Sequence, residues 1–221
     1  MALKEHGETK ITIVNRFGDG FSWIAYPHET MQRASQALRS GSDVFLIDPL
    51  DGEGLTDALS ALGTVKGVVI LFDRHTRDAI SLANQYDVPI YLPEWMSGVG
   101  GKASTIVSVS DMIGSFTISK LYDTPFWQEA ILYDGSTLVV PEAVGTASYF
   151  RTTRERLGVH PLLRLRPPKQ LKSFDPERIL VGHGSGLETE VQPALHRAID
   201  GARSGAPRIY WNGAKQILLG H

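Results

Sequence analysis

The residues with the clearest chemical potential form the hexapeptide DRHTRD at positions 73–78. It directly follows the apolar run VVILF (68–72), which predicts a buried strand. Carboxylate oxygens and imidazole nitrogens ligate divalent metals, whereas an arginine guanidinium is permanently charged and cannot ligate. The hexapeptide therefore indicates either a metal site at the end of a buried strand or an ion network in place of one.

Two further polar side chains follow apolar strand patterns later in the chain. Glu142 comes after TLVVP (137–141), and His183 lies in GHG (182–184) after RILV (178–181). Polar groups at strand ends commonly converge on one edge of a layered α/β fold, where active sites lie. We therefore expect Glu142 and His183 to lie close to the hexapeptide.

Strand and helix patterns alternate through the first half of the chain. β-Branched and apolar runs predict strands, and the helical spacing of apolar residues between Ala79 and Tyr86 predicts a helix. The predicted strands cover 11–17, 21–27, 43–49, 65–73 and 88–93, and the predicted helices cover 54–63 and 77–87. This alternation is typical of a layered α/β sheet.

The second half begins with a strand meander and ends with helices. The Asp134-Gly135 pair is a strong hairpin signal between two of the strands. We predict strands over 114–123, 129–135, 137–142 and 176–186, helices over 146–158 and 188–203, an irregular segment over 160–171, and a short hairpin or edge element over 208–221. The whole pattern predicts two sheets face to face with helices outside, in a single domain over 1–221 with a core of about 11–203.

The composition of the chain disfavours several classes of protein and of metal site. The chain has 221 residues, a net charge of −2 and 42% hydrophobic residues, which disfavours a nucleic-acid binder. No apolar run approaches the ~18 residues that cross a bilayer, and the polar segment MALKEHGETK does not resemble a signal peptide, so we expect a cytoplasmic protein without membrane contact. The chain has no cysteine, so a metal would require His, Asp or Glu ligands.

Three motifs together resemble those of the metallo-β-lactamase superfamily. They are LFDRHTRDA (71–79), ILYDGSTLVVPEAVG (131–145) and ERILVGHGSG (177–186), the last of which precedes a predicted helix. The resemblance spans about residues 11–203 in element order and implies a four-layer αββα sandwich. It also implies descent from a metal-dependent hydrolase of esters, thioesters, lactams or phosphoesters.

The resemblance implies a degenerate set of ligand positions. In the family motif H-x-H-x-D-H, Asp73 takes the first His position, His75 the second, Arg77 the Asp position and Asp78 the third His position. Glu142 takes the place of a bridging Asp, and His183 matches the last His. No histidine lies near YDTPFWQEA (122–130), where the family has another one.

Arg77 argues against a site with two metals. Two positive charges ~4 Å apart repel by several kcal/mol at an intermediate dielectric. The resemblance therefore implies at most one divalent metal, held by Asp73, His75, Glu142 and His183, and such a mixed N/O set suits Zn²⁺, Fe²⁺ or Mn²⁺. In this arrangement Asp78 would orient a ligand or act as a base, and Arg77 would bind an anionic group of the substrate.

Two functions remain open at this point. The first is a divergent hydrolase acting on an ester, thioester or lactone-type small molecule. The alternative is a non-catalytic relative without metal, in which Arg77 pairs with Asp73, Asp78 or Glu142 and the protein binds a small molecule or a partner. Trp95, Phe126 and Trp127 could form an apolar substrate wall, a homodimer interface or ordinary packing at the sheet edges.

Overall fold

The computed structural model describes residues 2–96, 99 and 105–219, with side chains as far as Trp211. The strands are β1 (Thr12–Phe17), β2 (Gly20–Ile24), β3 (Ala34–Ser40), β4 (Asp43–Ile47), β5 (Thr64–Val69), β6 (Ile90–Pro93), β7 (Ile106–Val109), β8 (Met112–Ile113), β9 (Phe116–Thr124), β10 (Trp127–Tyr133), β11 (Thr137–Val140), β12 (Val144–Gly145), β13 (Gly158–Val159) and β14 (Arg178–Val181). The helices are α1 (Leu55–Ser60), α2 (Ala79–Tyr86) and α3 (Val191–Leu219), with 3₁₀ turns at Pro161–Leu163 and Lys169–Ser173.

Two mixed sheets form the centre of the fold. The first contains β1 to β7 in chain order, antiparallel from β1 to β4 and parallel from β4 to β7. The second has the order β14-β11-β10-β9-β8, in which β14 and β11 are parallel and the other pairs are antiparallel. Both sheets contribute to one apolar cluster, for example through Ile47 and Val69 on one side and Leu132 and Val139 on the other, so they pack face to face.

Helices cover the two outer faces. Leu55 and Leu59 of α1 and Leu82 of α2 join the cluster on the outer face of the first sheet. Leu195 and Ile199 of α3 join the cluster on the outer face of the second sheet. The structure therefore confirms the predicted four-layer αββα sandwich.

The predicted helix over 146–158 is wrong. This segment consists of turns and bends between β12 and β13 because tertiary contacts take its polar groups. Arg164, which is fully buried, donates to the Phe150 carbonyl and pairs with Glu155. A Cβ atom at Gly158 would overlap the Phe150 carbonyl, so this crossing needs a glycine.

The chain end and several strands also differ from the sequence prediction, which had no strand at β3 or β7. The segment from 208 to 219 continues α3 through Pro207 and forms no hairpin, while 220 and 221 lie outside the described residues. The strand β3, with the sequence ASQALRS, was missed because it has no β-branched residue. Among the described helices, none combines the length and apolar character needed to cross a bilayer.

Candidate metal centre

Three strand ends position the candidate site. β11 and β14 are parallel neighbours, so both leave the second sheet at the same edge, and Glu142 and His183 each lie two residues further on. His75 lies between β5 and α2 of the first sheet. Its loop is tied to the second sheet because Phe72 forms a bridge with Glu129 of β10. The predicted convergence of His75, Glu142 and His183 is therefore present.

These three residues form a compact buried group. Oε2 of Glu142 lies 3.0 Å from Nε2 of His75 and 2.7 Å from Nε2 of His183. One potential ligand atom from each residue lies within 4.8 Å of the other two. We call His75, Glu142 and His183 the His/Glu/His group. It could hold one metal ion with three protein ligands and an open position, as catalytic zinc sites do.

The second nitrogen of each imidazole ring is also fixed. Nδ1 of His75 lies 2.8 Å from Oδ2 of Asp48, and Nδ1 of His183 lies 3.0 Å from the Met31 carbonyl oxygen. Because a carboxylate and a carbonyl only accept hydrogen bonds, each Nδ1 carries the proton. Such partners are those that orient metal-ligating histidines through their outer nitrogen.

The inner nitrogens of both rings face the same carboxylate oxygen. An imidazole with its proton on Nδ1 presents a lone pair at Nε2, whereas a doubly protonated ring donates from Nε2 to Glu142. Nη2 of Arg77 lies 3.3 Å from Nε2 of His75. With both Nε2 atoms deprotonated, two imidazole nitrogens and a carboxylate oxygen form the donor set of a divalent cation.

Burial and charge set the ionisation of the group. Burial raises the pKa of Glu142, but the contacts with His183 and His75 outweigh it and hold the pKa well below its usual range. Burial also lowers the pKa of His183, against the opposing effect of Glu142. An ionised Glu142 beside a neutral His183 is the state that binds a metal, because ligands must be deprotonated.

The His160 ring lies beside the second carboxylate oxygen of Glu142. Its Nε2 lies 3.4 Å from Oε1, while its Nδ1 accepts a hydrogen bond from the Leu162 backbone amide. The ring therefore carries its proton on Nε2, the opposite tautomer to that of His75 and His183. Burial lowers the pKa of His160 to about 4, so the ring is neutral near pH 7. His160 thus faces Glu142 with its protonated nitrogen and is not a fourth ligand.

Glu129 holds the backbone of the Glu142 loop. Oε1 of Glu129 accepts hydrogen bonds from the amides of Glu142 (2.9 Å) and Ala143 (2.7 Å), and Oε2 accepts one from Nε1 of Trp127 (2.6 Å). Burial raises the pKa of Glu129 to about 8, against the opposing effect of these three bonds. The side chain thus fixes the backbone of the loop that carries Glu142.

Arg77 is held by backbone carbonyls. Its guanidinium donates to the carbonyl oxygens of Ala34, Asp48 and Gly182. Within the described part of the chain, no carboxylate lies within ion-pair distance of Arg77, so the predicted pairing with Asp73, Asp78 or Glu142 is not formed. Its guanidinium does, however, lie beside His75, as the motif position implied.

The other two predicted site residues lie away from the group. Asp73 has Oδ1 3.4 Å from Nε of Arg74 and lines a different, shallow cavity. Asp78 accepts a hydrogen bond from the Asp51 amide and lines a large outer groove of about 1170 Å³ on the far side of Arg77. The structure therefore brings together three of the four predicted ligands and leaves Asp73 outside.

Sequence reasoning did not assign Asp48 and His160 to the site. Asp48 directly follows β4 and has a φ of 44°, a left-handed conformation that is uncommon outside glycine. Its position at the end of a strand beside β5 was a usable signal, because it repeats the pattern seen at Glu142 and His183. His160 follows β13, whose two residues carry no strand pattern, so the sequence offered no signal for it.

A small cavity opens over the group. It has a volume of about 340 Å³ and is lined by both ligating histidines, by Glu142 and by the aromatic side chains of Phe72, Trp127 and Tyr149. Trp127 is therefore part of the wall of the site, as one of the sequence hypotheses held. Phe126, its neighbour, is exposed and does not line the cavity.

Solved structures with this architecture cover nearly the whole chain. The DIM-1 metallo-β-lactamase exposed to ceftazidime is 12% identical, with a TM-score of 0.61, over 90% of this chain and 100% of that chain. The chain has the metallo-β-lactamase fold. A metallo-β-lactamase from Pontibacter korlensis is 13% identical, with a TM-score of 0.56, over 88% of this chain and 99% of that one.

A flavo di-iron protein also shares this fold. A flavo di-iron protein variant from Thermotoga maritima is 14% identical, with a TM-score of 0.62, over 89% of this chain and 62% of that one. No protein-family model and no curated protein sequence matches the chain. Because one fold hosts unrelated chemistries, the function must be argued from the site.

Proposed function

We propose that the protein is a metal-dependent hydrolase with one divalent cation, acting on an ester, thioester or lactone-type small molecule. The observation that carries this proposal is the convergence of two Nε2 atoms and Oε2 of Glu142. The outer nitrogens of both rings are held by Asp48 and by the Met31 carbonyl. Two histidines and one carboxylate suit Zn²⁺, Fe²⁺ or Mn²⁺.

The chemistry follows from the parts of the site. A divalent cation held by the His/Glu/His group would polarise a substrate carbonyl and lower the pKa of a water molecule. His160 keeps Glu142 in position through Oε1. Arg77 places a permanent charge beside His75, where it would stabilise negative charge that develops on the substrate. The aromatic wall of the cavity limits access of water to the reacting groups.

The role of Asp78 as a base stays a prediction. Its carboxylate lies in the outer groove and accepts a hydrogen bond from the Asp51 amide. A ligand that fills both cavities would pass Arg77, which lines each of them. A cytoplasmic location and a homodimer likewise stay proposals, the latter supported by the exposed rings of Phe126 and Trp211.

Hydrolysis of a panel of aryl esters, thioesters and lactones tests the proposal. We expect turnover that is abolished by a chelator and restored by one equivalent of Zn²⁺, Fe²⁺ or Mn²⁺. His75→Ala should remove turnover because it deletes a ligand, whereas His28→Ala changes an exposed histidine away from the cavity and should not. Turnover that survives both the chelator and His75→Ala would contradict the proposal.

A second candidate is a small-molecule or partner-binding protein without metal. It is favoured by the direct contacts of Glu142 with both histidines, which would satisfy the group if the rings were protonated. In that case chelators and metals would leave the thermal stability unchanged. A ligand would still bind in the 340 Å³ cavity, and no member of the substrate panel would be hydrolysed.

A further inference from the structure

Part of the lining of the cavity over the His/Glu/His group is apolar. Phe72 and Trp127 contact each other with ring centroids 5.1 Å apart, and Phe72 also meets the His75 ring edge to face. Tyr149 lines the same cavity, and Leu162 stands at its rim. The Arg74 guanidinium lies over the Phe72 and Trp127 rings, so the cavity presents aromatic surface and a positive charge together, which suits a planar or apolar group that carries a negative charge.

The lining of the cavity also carries positive charge. Lys4, Arg33, Arg74 and Arg77 line it, and Glu142 is the one acidic residue among the described lining residues. A cation of this kind attracts an anionic ligand most strongly where water is partly excluded. The lining therefore favours negative charge even before any metal is added.

Two of the four cations have a nearby carboxylate. Arg33 pairs with the buried Glu29 through several hydrogen bonds, so that charge is neutralised. Arg74 has Nε 3.4 Å from Oδ1 of Asp73, a longer contact, and its guanidinium lies 4.7 Å from the centre of the Phe72 ring. Stacking on aromatic rings holds the arginine in place while its charge stays available.

The other two cations are not neutralised by described residues. Arg77 donates to backbone carbonyls, and its buried Nε atom has no hydrogen-bond partner in the described part of the chain. Lys4 is exposed at the cavity rim and has no ion pair among the described residues. The charges of Asp48 and Glu142 act on Arg77 without forming an ion pair with it, and Lys4 at the rim keeps its full charge.

We propose that the cavity binds a small molecule with one carboxylate headgroup on a flat apolar body. The headgroup would lie toward Lys4, Arg74 and Arg77, and the body would lie along Phe72 and Trp127. This inference names the substrate class and rests on the proposed function. A volume of about 340 Å³ is at the low end of ligand pockets, so the body is about the size of one aromatic ring with a short side chain.

Matched ligand pairs of equal shape and different charge test the inference. Binding of benzoate and benzamide, and of phenylacetate and phenylacetamide, would be measured by calorimetry on chelator-treated and on metal-loaded protein. We expect each carboxylate to bind at least about tenfold more tightly than its amide in both preparations. The preference should weaken in 0.5 M salt, since exposed charges are screened.

Substitutions at the rim locate the source of the preference. Arg74→Gln combined with Lys4→Gln should reduce the carboxylate preference severalfold and leave amide binding unchanged. Arg16→Gln with Lys66→Gln is the matched control, because Arg16 also lies over an aromatic ring and both residues are exposed outside the cavity. Equal binding of carboxylate and amide, or a preference unchanged by the rim substitutions, would overturn the inference.

The outcomes separate this inference from the hydrolase proposal. A carboxylate preference without metal or turnover would support the binding inference and contradict the hydrolase. Metal-dependent turnover with equal rates on neutral and carboxylate-bearing esters would support the hydrolase and contradict the inference.

Discussion

At the scale of single residues, the tautomers of three histidines define the site. His75 and His183 carry the proton on Nδ1 because acceptors lie there, and both turn Nε2 toward Glu142. His160 has the opposite tautomer because its Nδ1 accepts from the Leu162 amide. Three histidines around one carboxylate thus separate into two candidate ligands and one ring with its protonated nitrogen beside Oε1 of Glu142.

Removal of the His160 imidazole should weaken metal binding more than folding. His160→Phe preserves an aromatic ring beside Phe150 and Trp127 but removes the Nε2 group that lies 3.4 Å from Oε1 of Glu142. We expect the metal affinity to fall about 10- to 100-fold, as for other partners of metal ligands. Competition with a chromophoric chelator measures the change.

The conservative variant provides the control for this prediction. His160→Gln retains a side-chain amide that can donate to Glu142, so it should retain most of the affinity. A His160→Phe variant that binds metal as tightly as the original protein would contradict the positioning role.

Arg77 should contribute mainly to stability, because it satisfies buried carbonyls. Arg77→Met removes the donors to Ala34, Asp48 and Gly182 while keeping an unbranched side chain. We expect the free energy of unfolding to fall by about 2–4 kcal/mol, measured by urea denaturation. Arg39→Met, which breaks an exposed pair with Asp19, should cost under about 1 kcal/mol. Equal effects of the two changes would contradict this account.

At the scale of elements, the site depends on the close parallel pairing of β11 and β14. The two strands are in register from Thr137–Arg178 to Val140–Val181, so Glu142 and His183 leave at matching heights. Gly182 lies where the strands end, and a Cβ atom there would overlap the Pro141 carbonyl and lie 3.2 Å from Cε1 of His75. Gly184, with a φ of 93°, lets the chain turn directly after His183.

Gly182→Ala should therefore separate the loop after β11, which carries Glu142, from the loop after β14, which carries His183. Relief of the overlap with Pro141 moves the backbone, and we expect a loss of about 1–3 kcal/mol in stability together with weaker metal binding. Thermal denaturation with and without metal measures both effects. Gly18→Ala is the matched control, since a Cβ atom there meets open space. A tolerated Gly182→Ala with unchanged metal affinity would show that the loops are not held this tightly.

At the scale of the whole molecule, local pattern predicted more of the fold than of the site's surroundings. Strand and helix patterns and the three motifs predicted the sandwich and placed His75, Glu142 and His183 together. Asp73 was expected as a ligand, but its side chain points to Arg74 and another cavity. The sequence alone did not show that the side chains of Asp73 and His75 point to different sides of their loop.

The errors of the sequence prediction arise where contacts between residues distant in the chain override the local preference for secondary structure. The segment 146–158 has a helical pattern, yet the buried Arg164 draws Phe150 and Glu155 into a turn. The hydrogen bond between His183 and Met31 joins residues 152 positions apart, which no local pattern indicates. Arg77 was expected to pair with carboxylates and instead satisfies carbonyls on three separate segments.

The central claim is that the His/Glu/His group holds one divalent cation. Elemental analysis of protein purified without added metal or a histidine tag tests it most directly. We predict about one equivalent of zinc, iron or manganese per chain, lost in His183→Ala and retained in His196→Ala, which changes a histidine on α3. Absence of metal, together with no thermal shift on adding any of these cations, would contradict the claim.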